Sequence, residues 1–397
     1  MHKTGGQGAL QGDQPRIMHI ITGLGGGGAE HSLLKLLSNK KNRHFNLLVV
    51  SLRGRKNLTP LVEDFGVDVR SLGIRDGVPT AIALWKLARL VRCWKPDLLQ
   101  GWMYHGNLAA SFAAFAAGGH VPTLWNVRHS LHDIGTEKFL TRLVIRVGAY
   151  LSSRPHAIIY NSEVAARQHE AYGFSHGSSL VIPNGFDCER FKPSPETRSR
   201  LRVELKIARD CWLVGLVARY HPQKDHPNFI RAAGILARRN VNVHYVLLGS
   251  GADSTNQDLA QLITSAGIHD RVHLLGEQSD VSRVMPGLDI LTSSSFGESF
   301  PNVLGEAMAC GIPCVATDVG DSARIIGDTG VVVPPRDTDA LASAWAKLLT
   351  LSNEERRRLG EAARQRIIQD YTLESVFDRY HDLYSRVMTA YRQRLLA

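Results

Sequence analysis

Short runs of β-branched and apolar residues alternate with longer stretches of helical period along almost the whole chain. Residues 17–22 read as a strand, followed by a glycine-rich turn and a helix over 30–38. A strand over 45–51, an amphipathic helix over 81–94 and strands over 98–101, 123–127 and 157–160 come next. Such runs, separated by helical crossovers, predict a parallel sheet covered on both faces. From residue 181 the texture changes. Ile182-Pro-Asn-Gly-Phe-Asp187 and Phe191-Lys-Pro-Ser-Pro195 are turn-rich and read as a connection. The alternation then restarts, with strands over 212–218, 243–248, 272–275, 290–293, 314–317 and 331–333.

The pattern predicts an α/β chain of two doubly wound, Rossmann-like domains facing each other across a cleft. The expected bounds are a disordered tail over 1–14, a first domain over 15–187, a linker over 188–208 and a second domain over 209–375. A final helix over 376–397, with apolar positions at Val376, Tyr380, Leu383, Tyr384 and Val387, is expected to cross back to the first domain. In open α/β sheets, ligands bind beyond the carboxyl ends of the strands. One domain would hold a donor and the other an acceptor.

At 397 residues the chain is long enough for two such domains. No apolar run reaches the roughly 18–20 residues that span a bilayer. Five scattered cysteines, Cys93, Cys188, Cys211, Cys310 and Cys314, read as buried thiols of a reducing cytosol. The net charge of +10 is lopsided: residues 1–190 carry +9 and the rest +1. A basic first half attracts an anionic partner such as a phospholipid or pyrophosphate. Lys138, Arg142 and Arg146, interleaved with Phe139, Leu140, Leu143, Val144 and Val147, form a basic amphipathic helix. That helix suits either an anionic membrane surface or an ordinary solvated face. The basic segments lack interleaved aromatics of the kind that bind nucleic acid, so no nucleic-acid partner is expected.

Candidate chemistry concentrates after the strand over 290–293. Ser293-Ser-Ser-Phe-Gly-Glu298-Ser-Phe-Pro-Asn-Val-Leu-Gly-Glu306 places two carboxylates eight positions apart around a turn that opens a helix near Asn302. A helix N-terminus attracts phosphate, and carboxylates accept from sugar hydroxyls. A site for both fits a nucleotide sugar. A hydrolase acid pair is disfavoured, because Glu306 lies within the helix and Glu298 before it. Arg219 and Lys224 follow the second domain's first strand, where a diphosphate would lie; a fork and a point charge together can neutralise a leaving diphosphate. Gly23-Leu-Gly25-Gly26-Gly27-Gly28 contains G-x-G-x-x-G, but the next strand ends at Arg53 and Arg55 without the acid of a dinucleotide site. An NADP-type site remains an alternative there. His129, His132 and Asp133 lack a further ligand for a metal site, and Asp337-Thr-Asp339 reads more simply as a helix cap than as a metal pair.

The chain resembles the retaining glycosyltransferases of family 4, which have the GT-B fold, over about residues 16–390. The motif 296–313, with Glu298 and Glu306, carries the resemblance, supported by Gly26-Gly-Gly-Ala-Glu30, Tyr160-Asn-Ser162, Ile182-Pro-Asn-Gly-Phe-Asp187, Arg219 and Lys224. The resemblance implies that Arg219 and Lys224 bind the donor diphosphate, Glu306 the ribose and Glu298 the donor sugar. It implies that the backbone of Phe300, Pro301, Asn302 and Val303 cradles diphosphate and sugar, and that Leu275 and Gly276 meet the base. His129 would sit beside the transferred sugar, and Gly25, Gly26 and Gly27 near the diphosphate. Where the family often has glycine after the lysine, this chain has Asp225, which leaves the local loop shape open. The implied reaction moves a sugar from a nucleotide diphosphate sugar, UDP-linked by preference, to a glycan or lipid-linked acceptor, without metal or cofactor. The implied location is the cytoplasm, with peripheral contact at an anionic membrane. A sugar-nucleotide epimerase or hydrolase of the same fold is the alternative.

Overall fold

The computed structural model describes residues 14–74, 81–132, 134–239 and 241–396. The expected tail over 1–14 lies, apart from Gln14, outside them. The first sheet contains β1 (Arg16–Ile21), β2 (Asn46–Ser51), β3 (Asp68–Ser71), β4 (Leu98–Trp102), β5 (Thr123–Val127), β6 (Ala157–Tyr160) and β7 (Ser179–Val181), in the order β3-β2-β1-β4-β5-β6-β7. The second contains β8 (Trp212–Val217), β9 (Val243–Leu248), β10 (Val272–Gly276), β11 (Ile290–Ser293), β12 (Cys314–Thr317) and β13 (Gly330–Val333), in the order β10-β9-β8-β11-β12-β13. Every pairing is parallel. β4, β5, β6, β11 and β12 are buried at every position, as helices on both faces require. In each sheet the order reverses beside the first strand of its domain, so both switch points open on a ligand crevice.

Two strands escaped the sequence reading. β3 buries only Val69, and β7 is three half-buried residues. Both are edges, where strands are short and their pattern weak. Cys93 is also exposed rather than buried, while Cys211, Cys310 and Cys314 are interior and Cys188 is half-buried.

Residues 188–208 are not a bare linker. Ser194 caps a helix, Pro195–Glu204, by accepting from Thr197 N at 3.1 Å. Its Leu201 enters the second domain's core. Its buried Arg202 donates to Asp289 at 2.6 Å and to the Gly287 carbonyl at 3.0 Å. The helix thus belongs to the second domain.

The final helix, Leu373–Leu396, packs into the first domain's core through Val376, Phe377, Tyr380, Leu383, Tyr384 and Met388. Asn126 Nδ2 donates to its Tyr380 hydroxyl at 2.8 Å. The chain therefore passes between the domains twice, and the two passages run side by side. Phe186 N donates to the Tyr371 carbonyl at 2.8 Å, and Leu373 N to the Phe186 carbonyl at 3.0 Å. A Cβ at Gly185 would stand 2.9 Å from the Leu373 Cα, so only glycine lets the two passages approach this closely.

Candidate active site

The cleft is built from loops at the carboxyl ends of both sheets. On the second domain, β8 ends at Val217 and leads to an exposed Arg219, then to a short turn, Pro222–Lys224. Asp225 adopts a left-handed backbone, φ 49° and ψ 51°. This is the conformation glycine favours. The aspartate recovers part of that cost by capping the helix His226–Arg238, its carboxylate accepting from Asn228 N at 3.2 Å. The substitution therefore keeps the loop shape and aims Lys224 into the cleft.

There Lys224 Nζ forms a close ion pair with Glu298, half shielded from solvent. Ser295 Oγ donates to the same carboxylate oxygen at 2.8 Å, and Ser294 Oγ to the Lys224 carbonyl at 2.8 Å. The Glu298 backbone is clamped from two sides. Ser130 Oγ of the first domain donates to its carbonyl at 2.8 Å. Gly320, at φ +55°, lies so close that a Cβ would stand 2.6 Å from that same oxygen. This chain of contacts fixes the turn that begins the helix Asn302–Ala309.

Phe300 turns its ring away from the cleft and stacks on Phe186, centroids 6.1 Å apart. Phe186 lies flat over Gly305, where a Cβ would stand 2.1 Å from the ring. What residues 300–303 present to the cleft is therefore mainly backbone, at the N-terminus of a helix. Glu306 projects from the next turn and is only partly open to solvent. Burial raises its pKa, opposed by Lys35 and Arg190. Lys35 reaches toward it from the first domain's helix Gly28–Leu37, with its own pKa lowered by burial and raised in part by Glu306. Gly276, at φ +63°, ends β10 after a bulge that follows Leu274. Its N–H donates to the Ala252 carbonyl at 3.0 Å and its carbonyl accepts from Gly249 N at 2.8 Å, which shapes the pocket floor beside half-buried Leu275.

From the first domain, Gly25, Gly26 and Gly27 form an exposed loop that opens the helix Gly28–Leu37. His129 follows β5, and its Nε2 lies 2.9 Å from Glu137. The Tyr104 ring meets it edge-on at 6.4 Å. Its neighbour Ser130 holds the Glu298 loop, whereas the contacts of the His129 ring itself lie within the first domain. His132 instead bonds Gln168, and Asp133 lies outside the described residues. Asp337 caps the helix Thr338–Leu349, accepting from Ala340 N at 2.9 Å.

Sequence reasoning missed the residues that join the domains. Ser299 Oγ donates to Asn161 at 2.7 Å, and Asn184 Nδ2 donates to Asn302 at 2.6 Å. Asn184 in turn accepts from Arg128. Asp321 of the second domain accepts from Glu163 N and Val164 N, each at 3.1 Å, at the start of the helix Glu163–Ala171. Ser299 and Asn302 stood in the motif over 296–313, and Asn161, Ser162 and Asn184 in the motifs that support it; their pairing across the domains, and Asp321, had no signal in the sequence.

Two family models match: Glycosyltransferase Family 4 over residues 26–190 and Glycosyl transferases group 1 over residues 212–351. They meet the two domains in turn and together span more than half of the chain. The chain belongs to the family 4 glycosyltransferases. Among curated relatives, this glycosyltransferase is 35% identical over 150 residues to the N-acetyl-alpha-D-glucosaminyl L-malate synthase of Bacillus anthracis, covering 37% of this chain and 39% of that protein. It is 24% identical over 208 residues to the UDP-Gal:alpha-D-GlcNAc-diphosphoundecaprenol alpha-1,3-galactosyltransferase of Escherichia coli, covering 51% and 53% respectively. The chain thus spans from two fifths to about half the length of these two relatives. Anabaena Alr3699/HepE, solved in complex with UDP, superposes with a TM-score of 0.82 at 23% identity over 94% of this chain and all of that one. A further structure of the Anabaena protein holds UDP-glucose. The likeness establishes the shared GT-B arrangement of two Rossmann-like domains.

Proposed function

We propose that this glycosyltransferase moves a sugar from UDP to a hydroxyl of a glycan or lipid-linked acceptor, with retention at the anomeric carbon and without a metal, in the assembly of a surface polysaccharide. The observation that carries the reading is the pairing of Lys224 with Glu298 beside an open helix N-terminus. In the free site each neutralises the other. A donor diphosphate would take Lys224 as its partner and release Glu298 to accept from sugar hydroxyls. Arg219, Lys224 and the N–H groups at the start of Asn302–Ala309 would then face the charge that grows on the departing diphosphate. Glu306 would accept from the ribose hydroxyls. No side chain stands out as a nucleophile. A same-face attack fits that, the acceptor's proton passing to a donor phosphate oxygen as the glycosidic bond to that oxygen breaks. UDP bound by an Anabaena protein of the same fold and a relative named for UDP-Gal support uracil as the base. Among the described residues no helix is long and apolar enough to cross a membrane; contact with an anionic bilayer from the cytoplasmic side is part of the proposal.

Thermal shift with UDP, GDP and ADP tests the donor, because a ligand at 100 times its Kd adds about 2.7 kcal/mol of stability. The expected result is a shift with UDP well above the other two. UDP-sugar consumption must then require an acceptor. Equal consumption without one would make the protein an epimerase or hydrolase, and no response to any nucleotide would overturn the reading.

A further inference from the structure

Beside the glycine loop, past the carboxyl ends of β1, β2 and β3, the first domain contains a second cavity of about 250 Å³. Its walls are almost wholly apolar: Leu52, Leu72, Leu87, Leu108, Phe112 and Val144. Among the described residues, polar side chains line it only at Thr22, Arg53 and His105. Arg53 stands where the cavity meets the start of the glycine-rich turn. Its backbone N–H donates to the Thr22 carbonyl at 3.0 Å, and its side chain packs 3.8 Å from where a Cβ of Gly23 would stand. The imidazole of His105 feels the Arg53 charge, which joins burial in lowering its pKa.

Three helices, Ala81–Trp94, Met103–Ala116 and Phe139–Leu151, supply most of the walls, and none of them carries an aspartate or glutamate. Lys86, Arg89, Arg92, Arg142 and Arg146 are their charged side chains. The same helices leave large apolar side chains in solvent, among them Trp85 at 59%, Phe115 at 78% and Phe139 at 71% exposure. A soluble sugar acceptor would find few hydrogen-bond partners in such a cavity, and an apolar patch on this scale marks a binding surface. Apolar walls, one cation at the inner rim and no acid on the surrounding helices complement an amphiphile with an anionic group near the head of a hydrocarbon tail.

We propose that this cavity takes the first segment of the hydrocarbon tail of an anionic lipid-linked acceptor, with Arg53 on its phosphate and its sugar directed into the cleft. The inference rests on the glycosyltransferase reading and narrows the acceptor from any glycan to a phosphate-bearing lipid. Each methylene buried there raises affinity about fourfold.

Calorimetric titration with dodecyl phosphate below its aggregation limit, against inorganic phosphate, tests it. Dodecyl phosphate is expected to bind at least a hundredfold tighter than phosphate. Ala109→Trp, which fills the cavity, should weaken it tenfold or more, and Arg53→Ala, a surface change, about tenfold. The UDP-induced thermal shift should persist in both variants, showing that the fold and the donor site are intact. Equal dodecyl phosphate affinity in wild type and Ala109→Trp overturns the proposal. So does loss of affinity in Phe139→Ser/Leu143→Ser with Ala109→Trp unaffected, since the amphiphile would then sit on the outer helix. Failure of wild type to respond to UDP would strike the donor reading and leave the cavity result standing.

Discussion

At Lys224 and Glu298 the free site satisfies two opposite charges with each other, and in the proposed function the donor would separate them. Removing one partner leaves the other half-buried, so the two substitutions should not add. Lys224→Ala and Glu298→Gln are each expected to lower kcat/KM by about 10²–10³. The double variant should lose much less than the product of the two, as a kinetic double-mutant cycle will read. Glu306 illustrates the same tension through pH. Burial raises its folded pKa above the ordinary carboxylate range. A group raised in this way contributes stability below its unfolded pKa and loses it as the pH climbs through the folded one. Above its unfolded pKa this carboxyl therefore costs the free protein stability, and ribose hydroxyls in the proposed role would offset that cost. Glu306→Gln should raise the Tm of the free protein at pH 7 by on the order of 2 °C. The gain should fade toward pH 4, and the UDP-induced shift should shrink. A lower Tm at pH 7 would contradict this account of the site.

At the scale of elements, caps decide several assignments. Asp337-Thr-Asp339 has the spacing of a metal pair, yet Asp337 is engaged with Ala340 N. Asp337→Ala should cost about 1 kcal/mol in denaturant unfolding and leave transfer rates, with and without a chelator, as they are in the parent protein. A loss of activity restored by added Mn²⁺ would reverse the assignment. The central strands and the motif over 296–313 were readable because their signals are local: continuous apolar runs, and a turn and helix start written in adjacent residues. β3 and β7 were not, since edge strands bury too little to impose a pattern. The helix Pro195–Glu204 was hidden by its own N-terminus, where Pro193 and Pro195 look like a loop although proline is at home in a first helical turn. The Ser130 contact to the Glu298 carbonyl joins positions 168 apart and depends on how two domains meet, which no local pattern encodes.

At the scale of the molecule, the two domains are tied at the site itself rather than only at the paired passages near Phe186 and Tyr371. Ser130, Asn161 and Asn184 reach the donor loop from the first domain, and Asp321 reaches back to cap Glu163–Ala171. Arg324 pairs with Glu163 at 2.6 Å beside that cap, but both are largely exposed and contribute little. Asp321 is buried, and its carboxylate occupies two orphan N–H groups at a positive helix end. It is thus a buried tie between the domains that makes two hydrogen bonds. Asp321→Ala removes both hydrogen bonds and leaves each domain's core intact. The closed arrangement should then lose on the order of 1–2 kcal/mol relative to an open one. Small-angle scattering of the free variant should show a larger radius of gyration than wild type, returning toward the wild-type value with saturating UDP. Donor KM should rise about tenfold while kcat at saturation changes little, because bound donor supplies the missing closure. An unchanged radius with an unchanged KM would mean that the remaining ties hold the cleft shut without Asp321.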